Sequence, residues 1–146
     1  MTGVFILMAP VFLFADSSSE AIRADELVSR FNEATDVQEK ELNKRLRGAM
    51  IIGAGTIENV EERSFLDEAR GEEARVRYYT AITELQKTAE GAVYNVVFCY
   101  EDIDDAERIC KGQRVEEIGK LIRISKEGDE GVWISVWLFM ESAPVK

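Results

Sequence analysis

The hydrophobic period of this chain switches from helical to strand-like near residue 48, and that switch limits the folds open to it. From Ser19 onward, Ile22, Leu27, Phe31 and Ala34 recur at helical spacing, with Glu20, Arg23, Asp25, Glu26 and Arg30 largely on other sides. Ser17, Ser18 and Ser19 offer N-caps, and the early acidic residues suit the positive end of a helix dipole. Asn32-Glu33-Ala34-Thr35 reads as a break. A second helical piece is predicted over 36–46, on Val37, Leu42 and Leu46. After Arg47-Gly48, β-branched residues and two-residue alternation take over.

The first strand is predicted over 49–60, where Gly53 and Gly55 suggest a bulge or sharp coil that bends a long strand. The polar stretch 61–74 reads as a loop or a hairpin extension. The second strand, 75–85, alternates, with Val76, Tyr78, Thr80 and Ile82 on one face and Arg77, Tyr79, Ala81 and Thr83 on the other. A turn at 87–91 leads to a third strand at 92–100. Asp102 caps a short helix with Ile103, Ala106, Ile109 and Cys110 on its apolar side, ended by Lys111-Gly112-Gln113. Strands at 114–124 and 132–141 follow, joined by a turn at 126–131. The predicted fold is therefore mainly β with α: a five-stranded OB-fold Greek-key barrel, β-β-β-α-β-β, preceded by an N-terminal helical segment. The organisation expected is a hydrophobic N-terminal segment at 1–15, a helical segment at 16–47 and a barrel at 48–146. With 146 residues but only 2 prolines and 10 glycines, the chain has little room for a flexible linker.

Charge narrows the function. The formal charge is -10, with 18 basic residues interleaved among 28 acidic ones. Phosphate-backbone binding draws on clustered Lys and Arg, so nucleic acid is disfavoured, and a basic protein or a small ligand suits the balance better. Histidine is absent, which removes Ser-His-Asp and Cys-His systems and imidazole zinc sites. No nucleophile–base pair and no metal set can be named, so the chain reads as a non-enzyme without a cofactor.

The segment 1–15 carries no charged side chain. Its apolar run of about 11 to 14 residues is too short to span a bilayer comfortably. Ala15 before Asp16-Ser17-Ser18-Ser19 suits the cleavage site of a secretory signal, although no Lys or Arg precedes the apolar run and Leu13 stands where a small residue is preferred. The expectation is an extracytoplasmic protein, periplasmic or secreted, that meets a membrane only through an uncleaved N-terminal segment. In such a compartment Cys99 and Cys110 could pair, or they could remain buried thiols.

Among candidate sites, Arg75, Arg77, Tyr79, Tyr94 and Tyr100 fall on the second and third strands, the ligand face of nucleic-acid-binding OB-folds, where rings stack on bases and cations track phosphates. The plainer reading is an alternating strand with half its residues inside. The acidic run Glu101-Asp102-Ile103-Asp104-Asp105-Ala106-Glu107 fails the EF-hand pattern and is explained by helix capping. Gly53-Ala54-Gly55 lacks the third glycine and the following helix of a dinucleotide fingerprint. Trp133 and Trp137 share a side by period two; they could line a groove, but closing the barrel core or packing beneath a covering helix is the reading preferred.

Ala24-Asp25-Glu26-Leu27-Val28, Phe31-Asn32-Glu33 and Arg47-Gly48 ahead of a strand ending in Ile57 resemble the opening of a bacterial family of exported OB-fold proteins, the tRNA_anti-like family. Val97-Phe98-Cys99-Tyr100, the acidic helix, Lys111-Gly112-Gln113-Arg114-Val115 and Ile118-Gly119-Lys120 are similar to its second half, so the resemblance spans roughly residues 24–140. It implies an OB-fold and often an export signal, and it brings no catalytic residues. The longer polar insert after the first strand and the acidic balance depart from that family. The function expected is an exported, non-enzymatic binding module for an unknown protein or small ligand, with a single-stranded nucleic-acid binder as the alternative.

Overall fold

Two short helices lead into the sheet. The computed structural model describes residues 21–66, 75–129 and 133–141; the apolar segment 1–15 and its expected cleavage point lie outside the described residues. Ile22–Arg23 form a short strand, β1, parallel to Ile51 and Ile52, so the first residues expected to be helical are extended. Helix α1 (Ala24–Asn32) follows, with Asp25 and Glu26 in its first turn and Arg30 in its last. Helix α2 (Asp36–Leu46) starts on a reciprocal cap. Gln38 N donates to Thr35 Oγ1 at 3.3 Å, and Thr35 N donates to Gln38 Oε1 at 2.9 Å.

The remaining elements are β2 (Met50–Leu66), β3 (Arg75–Thr83), β4 (Gln86–Lys87), β5 (Val93–Tyr100), helix α3 (Ile103–Glu107), β6 (Arg114–Glu127) and β7 (Trp133–Met140). The polar stretch after the first predicted strand is thus the hairpin extension: β2 continues through it to Leu66 and pairs with β3 as far as Arg75. Five strands close a ring in the order β2-β3-β5-β7-β6 and back to β2. β5 and β7 are parallel, and the other four pairings of the ring are antiparallel. β1 and β4 attach outside it.

One hydrophobic cluster fills the ring and includes the helices. Leu27, Val28 and Phe31 of α1 and Leu42 and Leu46 of α2 are buried with Ile51, Ile57, Val96, Phe98, Leu121, Val136 and Leu138. The helical segment and the barrel therefore share one core. Burial of these side chains is the main favourable term in folding.

β2 stays in this ring because of two local devices. A register shift between Ile57 and Asn59 swaps its faces: Ile51 and Ile57 point inward before it, and Val60 packs on the core after it. The bulge sits after the two glycines, which have another role. A Cβ built on Gly53 would lie 2.8 Å from Leu138 Cδ1 and 2.9 Å from Val96 Cγ1, and one on Gly55 would lie 2.7 Å from Thr83 Cβ. Only backbone fits there. A second register shift, between Leu121 and Arg123, does the same for β6, turning Leu121 and Ile124 inward.

The edge of β6 beyond its pairing with β2 is closed by a side chain. Asn43 of α2 donates from Nδ2 to Ile124 O at 3.0 Å, and its Oδ1 accepts from Ile124 N at 2.8 Å. A carboxamide thereby takes the place of a neighbouring strand. Lys126 Nζ lies 2.6 Å from Glu39 Oε2 beside it.

Two stability measurements follow from this arrangement. Gly53→Ala is expected to lower the unfolding free energy by about 1–3 kcal/mol in urea. An unchanged midpoint would mean that Leu138 and Val96 yield without strain. Asn43→Ala should cost about 1–3 kcal/mol, because it strips both partners from the Ile124 backbone. Faster hydrogen exchange at the Ile124 amide is the direct readout, and unaltered protection there would contradict the clamp.

Candidate functional site

Two of the five residues expected to form a stacking face turn away from it. Tyr94 and Tyr100 are buried in the barrel core, 7% and 0% exposed. The even positions of β5 point inward with Val96 and Phe98, and Tyr94 and Tyr100 share their parity. Burial raises both phenols above the usual tyrosine pKa, with Asp25 adding to the effect at Tyr94 and Glu117 at Tyr100. Tyr100 is fully enclosed, and Tyr94 reaches the surface only where it lines a recess by the start of α1. Tyr79 is half-buried on β3, opposite Tyr100 in register. Arg77 is exposed, with its Nε 2.9 Å from Glu62 Oε2. Arg75 opens β3, and its side chain lies outside the described residues.

Cys99 is buried on β5 and Cys110 is exposed beyond α3; the structure carries no bond between them. Cys99 packs with Tyr78, Val97 and Trp137 on the outer side of the barrel, while α3 ends at Glu107 and leaves Cys110 in the following turn. In the acidic run, Asp102 Oδ1 accepts from Asp104 N at 2.9 Å and Asp105 Oδ1 accepts from Arg108 Nη2 at 2.6 Å. Among the described residues no group of three or more Cys, Asp or Glu is placed to hold a metal ion.

The tryptophans divide. Trp133 is half-buried and packs over the β6–β7 turn, where a Cβ built on Gly128 would lie 2.7 Å from its ring. Trp137 is 4% exposed but does not enter the barrel core. It belongs to a second cluster on the outer face, with Tyr78, Val97 and Cys99 and with Ile82, Ile122 and Phe139 packed against it. Tyr78 meets Phe139 edge to face at 6.2 Å between ring centroids.

Around Trp137 the outer face becomes polar and concave. The Arg123 guanidinium carbon lies 4.6 Å from the indole centroid, and that of Arg63 lies 5.7 Å from it. Arg63 and the indole are held by neighbours. Arg63 Nε donates to Glu61 Oε2 at 2.8 Å, and Glu61 Oε1 accepts from Asn59 Nδ2 at 3.0 Å. Trp137 Nε1 donates to Ser125 Oγ at 3.3 Å, and Ser125 Oγ donates to Glu127 Oε2 at 2.6 Å. Arg63, Ser64, Arg123, Glu127 and Trp137 line a recess of about 360 Å³. A second recess, of about 270 Å³, lies by the start of α1, but Arg23 and Arg114 there face Asp25 and Glu116, so its charges balance.

Sequence reasoning missed this site. Arg63 fell in a stretch read as a loop or extension, and Arg123 was an ordinary strand residue. The usable signal was Leu121-Ile122-Arg123-Ile124: two adjacent apolar residues interrupt the alternation where the bulge turns Arg123 outward.

No family model, curated protein or solved structure matches this chain.

The indole and the two guanidiniums should be energetically coupled. Trp137→Phe is expected to cost about 1–3 kcal/mol in urea, from the lost indole bond and the weaker cation–π face. That cost should shrink by about 0.5–2 kcal/mol in an Arg123→Gln background. Strict additivity in this double-mutant cycle would show that the stacking contributes nothing.

Proposed function

We propose that this chain is a non-enzymatic binding module on an OB-fold barrel, exported from the cytoplasm, whose ligand occupies the recess over Trp137. Support for the barrel type comes from the ring order, the parallel β5–β7 pairing and helix α3 between the third and fourth strands of the ring. The resemblance of residues 24–140 to the tRNA_anti-like family agrees with it. The apolar, uncharged run at 1–15 supports export. The lack of any histidine, and of a recognisable nucleophile–base pair, favours binding over catalysis.

The observation that carries the reading is the recess lined by Arg63, Arg123 and Trp137. Its size lies near the lower end of small-molecule pockets, and its polar groups are held in place by Glu61 and Ser125. A protein side chain or a small molecule suits it. The same two guanidiniums over an aromatic ring favour single-stranded nucleic acid as a second reading. The charge of -10 over the whole chain opposes that approach.

An amide NMR titration of the full chain separates the two. Oligonucleotides, short peptides and small metabolites are added in turn at about 0.15 M salt. Shifts clustered at Arg63, Arg123 and Trp137 are expected from a peptide or a metabolite, and none from the oligonucleotide. Micromolar oligonucleotide affinity that falls steeply with salt would replace this reading with the nucleic-acid one. Silence from every addition would overturn both.

A further inference from the structure

Separately from the recess over Trp137, we propose that the open edge of β6 at residues 114–118 takes an extended segment of a basic partner protein as an added strand.

The backbone sets the site. β6 pairs with β2 on one side from Arg114 to Lys120 without a register shift, but its pairing with β7 on the other side begins only at Lys120. Antiparallel strands turn their N–H and C=O groups alternately to the two sides. Ile57 N donates to Gln113 O and Leu121 N donates to Ala49 O, so the odd positions of β6 bond to β2. The backbone groups of Arg114, Glu116 and Ile118 therefore face away from β2, and among the described residues no strand pairs with them. Ile118 is 51% exposed, so this edge lies open. Arg114-Val115-Glu116-Glu117-Ile118 holds no proline and no bulge to blunt it as a template for another strand.

The neighbouring strand sets the course. β7 ends at Met140, one residue past the Lys120–Phe139 pair, so an added strand would carry its line onward along β6. A groove of about 230 Å³ lies at this junction, with Glu117, Ile118, Gly119, Lys120, Met140 and Glu141 in its walls.

Charge selects the occupant. Glu117 shares the inward parity of Val115 and Leu121, and its carboxylate helps to raise the Tyr100 phenol. Glu117 and Glu141 outnumber Lys120 in the groove, and none of the three belongs to an ion pair among the described residues. On the outer side Arg114 and Glu116 offset each other. The acidic run 101–107 starts just after Tyr100, which stands opposite Met140. The local sign thus agrees with the charge of -10 over the whole chain, and both draw a cationic strand. A second copy of this chain would bring like charge instead, and an inward-pointing carboxylate is one of the devices that discourages edge-to-edge pairing.

Hydrogen exchange and a peptide titration of the full chain test this. In the free chain the amides of Glu116 and Ile118 are expected to exchange about tenfold or more faster than those of Val115, Glu117 and Gly119. A short capped peptide of alternating lysine and valine should then slow the Glu116 and Ile118 amides and shift their resonances saturably, with the Trp137 indole signal unmoved. The same peptide with glutamate for lysine should not bind, nor should a lysine–valine peptide methylated at every backbone nitrogen. Ile118→Pro removes an N–H that carries no bond within the sheet, a change that strand edges tolerate, and should weaken the peptide about tenfold or more. Glu117→Gln should weaken it less and flatten its salt dependence. Slow exchange at Glu116 and Ile118 in the dilute free chain overturns the proposal, because the edge is then already paired. Protection that appears only as protein concentration rises assigns the edge to a second copy and overturns it as well. Equal binding of the methylated or glutamate peptide, an unchanged affinity in Ile118→Pro, or no response to the lysine–valine peptide at low salt has the same consequence.

Discussion

β2 has to serve two partners along 17 residues, pairing with β6 through Met50–Thr56 and with β3 through Ile57–Leu66. A flat strand of that length could not belong to both sides of a closed ring. The close approach at Gly53 and Gly55 lets its backbone pass against Leu138, Val96 and Thr83, and the shift at Ile57/Asn59 turns it toward β3. Closure of the ring depends on this bend, and closure removes most of the exposed strand edges that would otherwise invite association.

The same bend produces the outer face. Past the bulge, Asn59, Glu61 and Arg63 stand opposite Ile82, Thr80 and Tyr78, on the side away from the barrel core. The matching shift in β6 places Arg123 opposite Trp137. Two bulges on two different strands thereby deliver two arginines to one indole. Without either shift, parity would carry the corresponding guanidinium to the core face, where an unpaired charge is strongly disfavoured.

Stability and binding draw on different sides of the same strands. The inner side of β5 and β7 is apolar and packs against α1, while the outer side mixes Val97, Cys99 and Trp137 with the buried Asn95–Ser135 hydrogen bond of 2.6 Å. Both faces of β7 are therefore covered, which explains why its sequence, Trp133-Ile134-Ser135-Val136-Trp137-Leu138-Phe139-Met140, shows so little polar alternation. An alternating polar pattern would have signalled an outer face bathed in water; this one signals an outer face that carries structure of its own.

Local chemistry was readable along the chain. The helix break at Asn32–Thr35, the change of period after Gly48, the cap at Asp102 and the order of the main strands all follow from neighbours a few residues apart, and they reappear in the structure within a few positions. The hairpin extension to Leu66 and the short strands β1 and β4 needed distant partners, so no local pattern marked their exact limits. The candidate site was hidden for the same reason. Tyr94 and Tyr100 look like surface aromatics until the parity of β5 is set by the core, and Arg63 and Arg123 look unrelated across 60 residues of sequence. The sequence alone determined composition, charge, periodicity and element order, because these are sums over near neighbours. Only the tertiary structure decided which face each strand buries and which side chains meet, because a single bulge reverses every assignment beyond it.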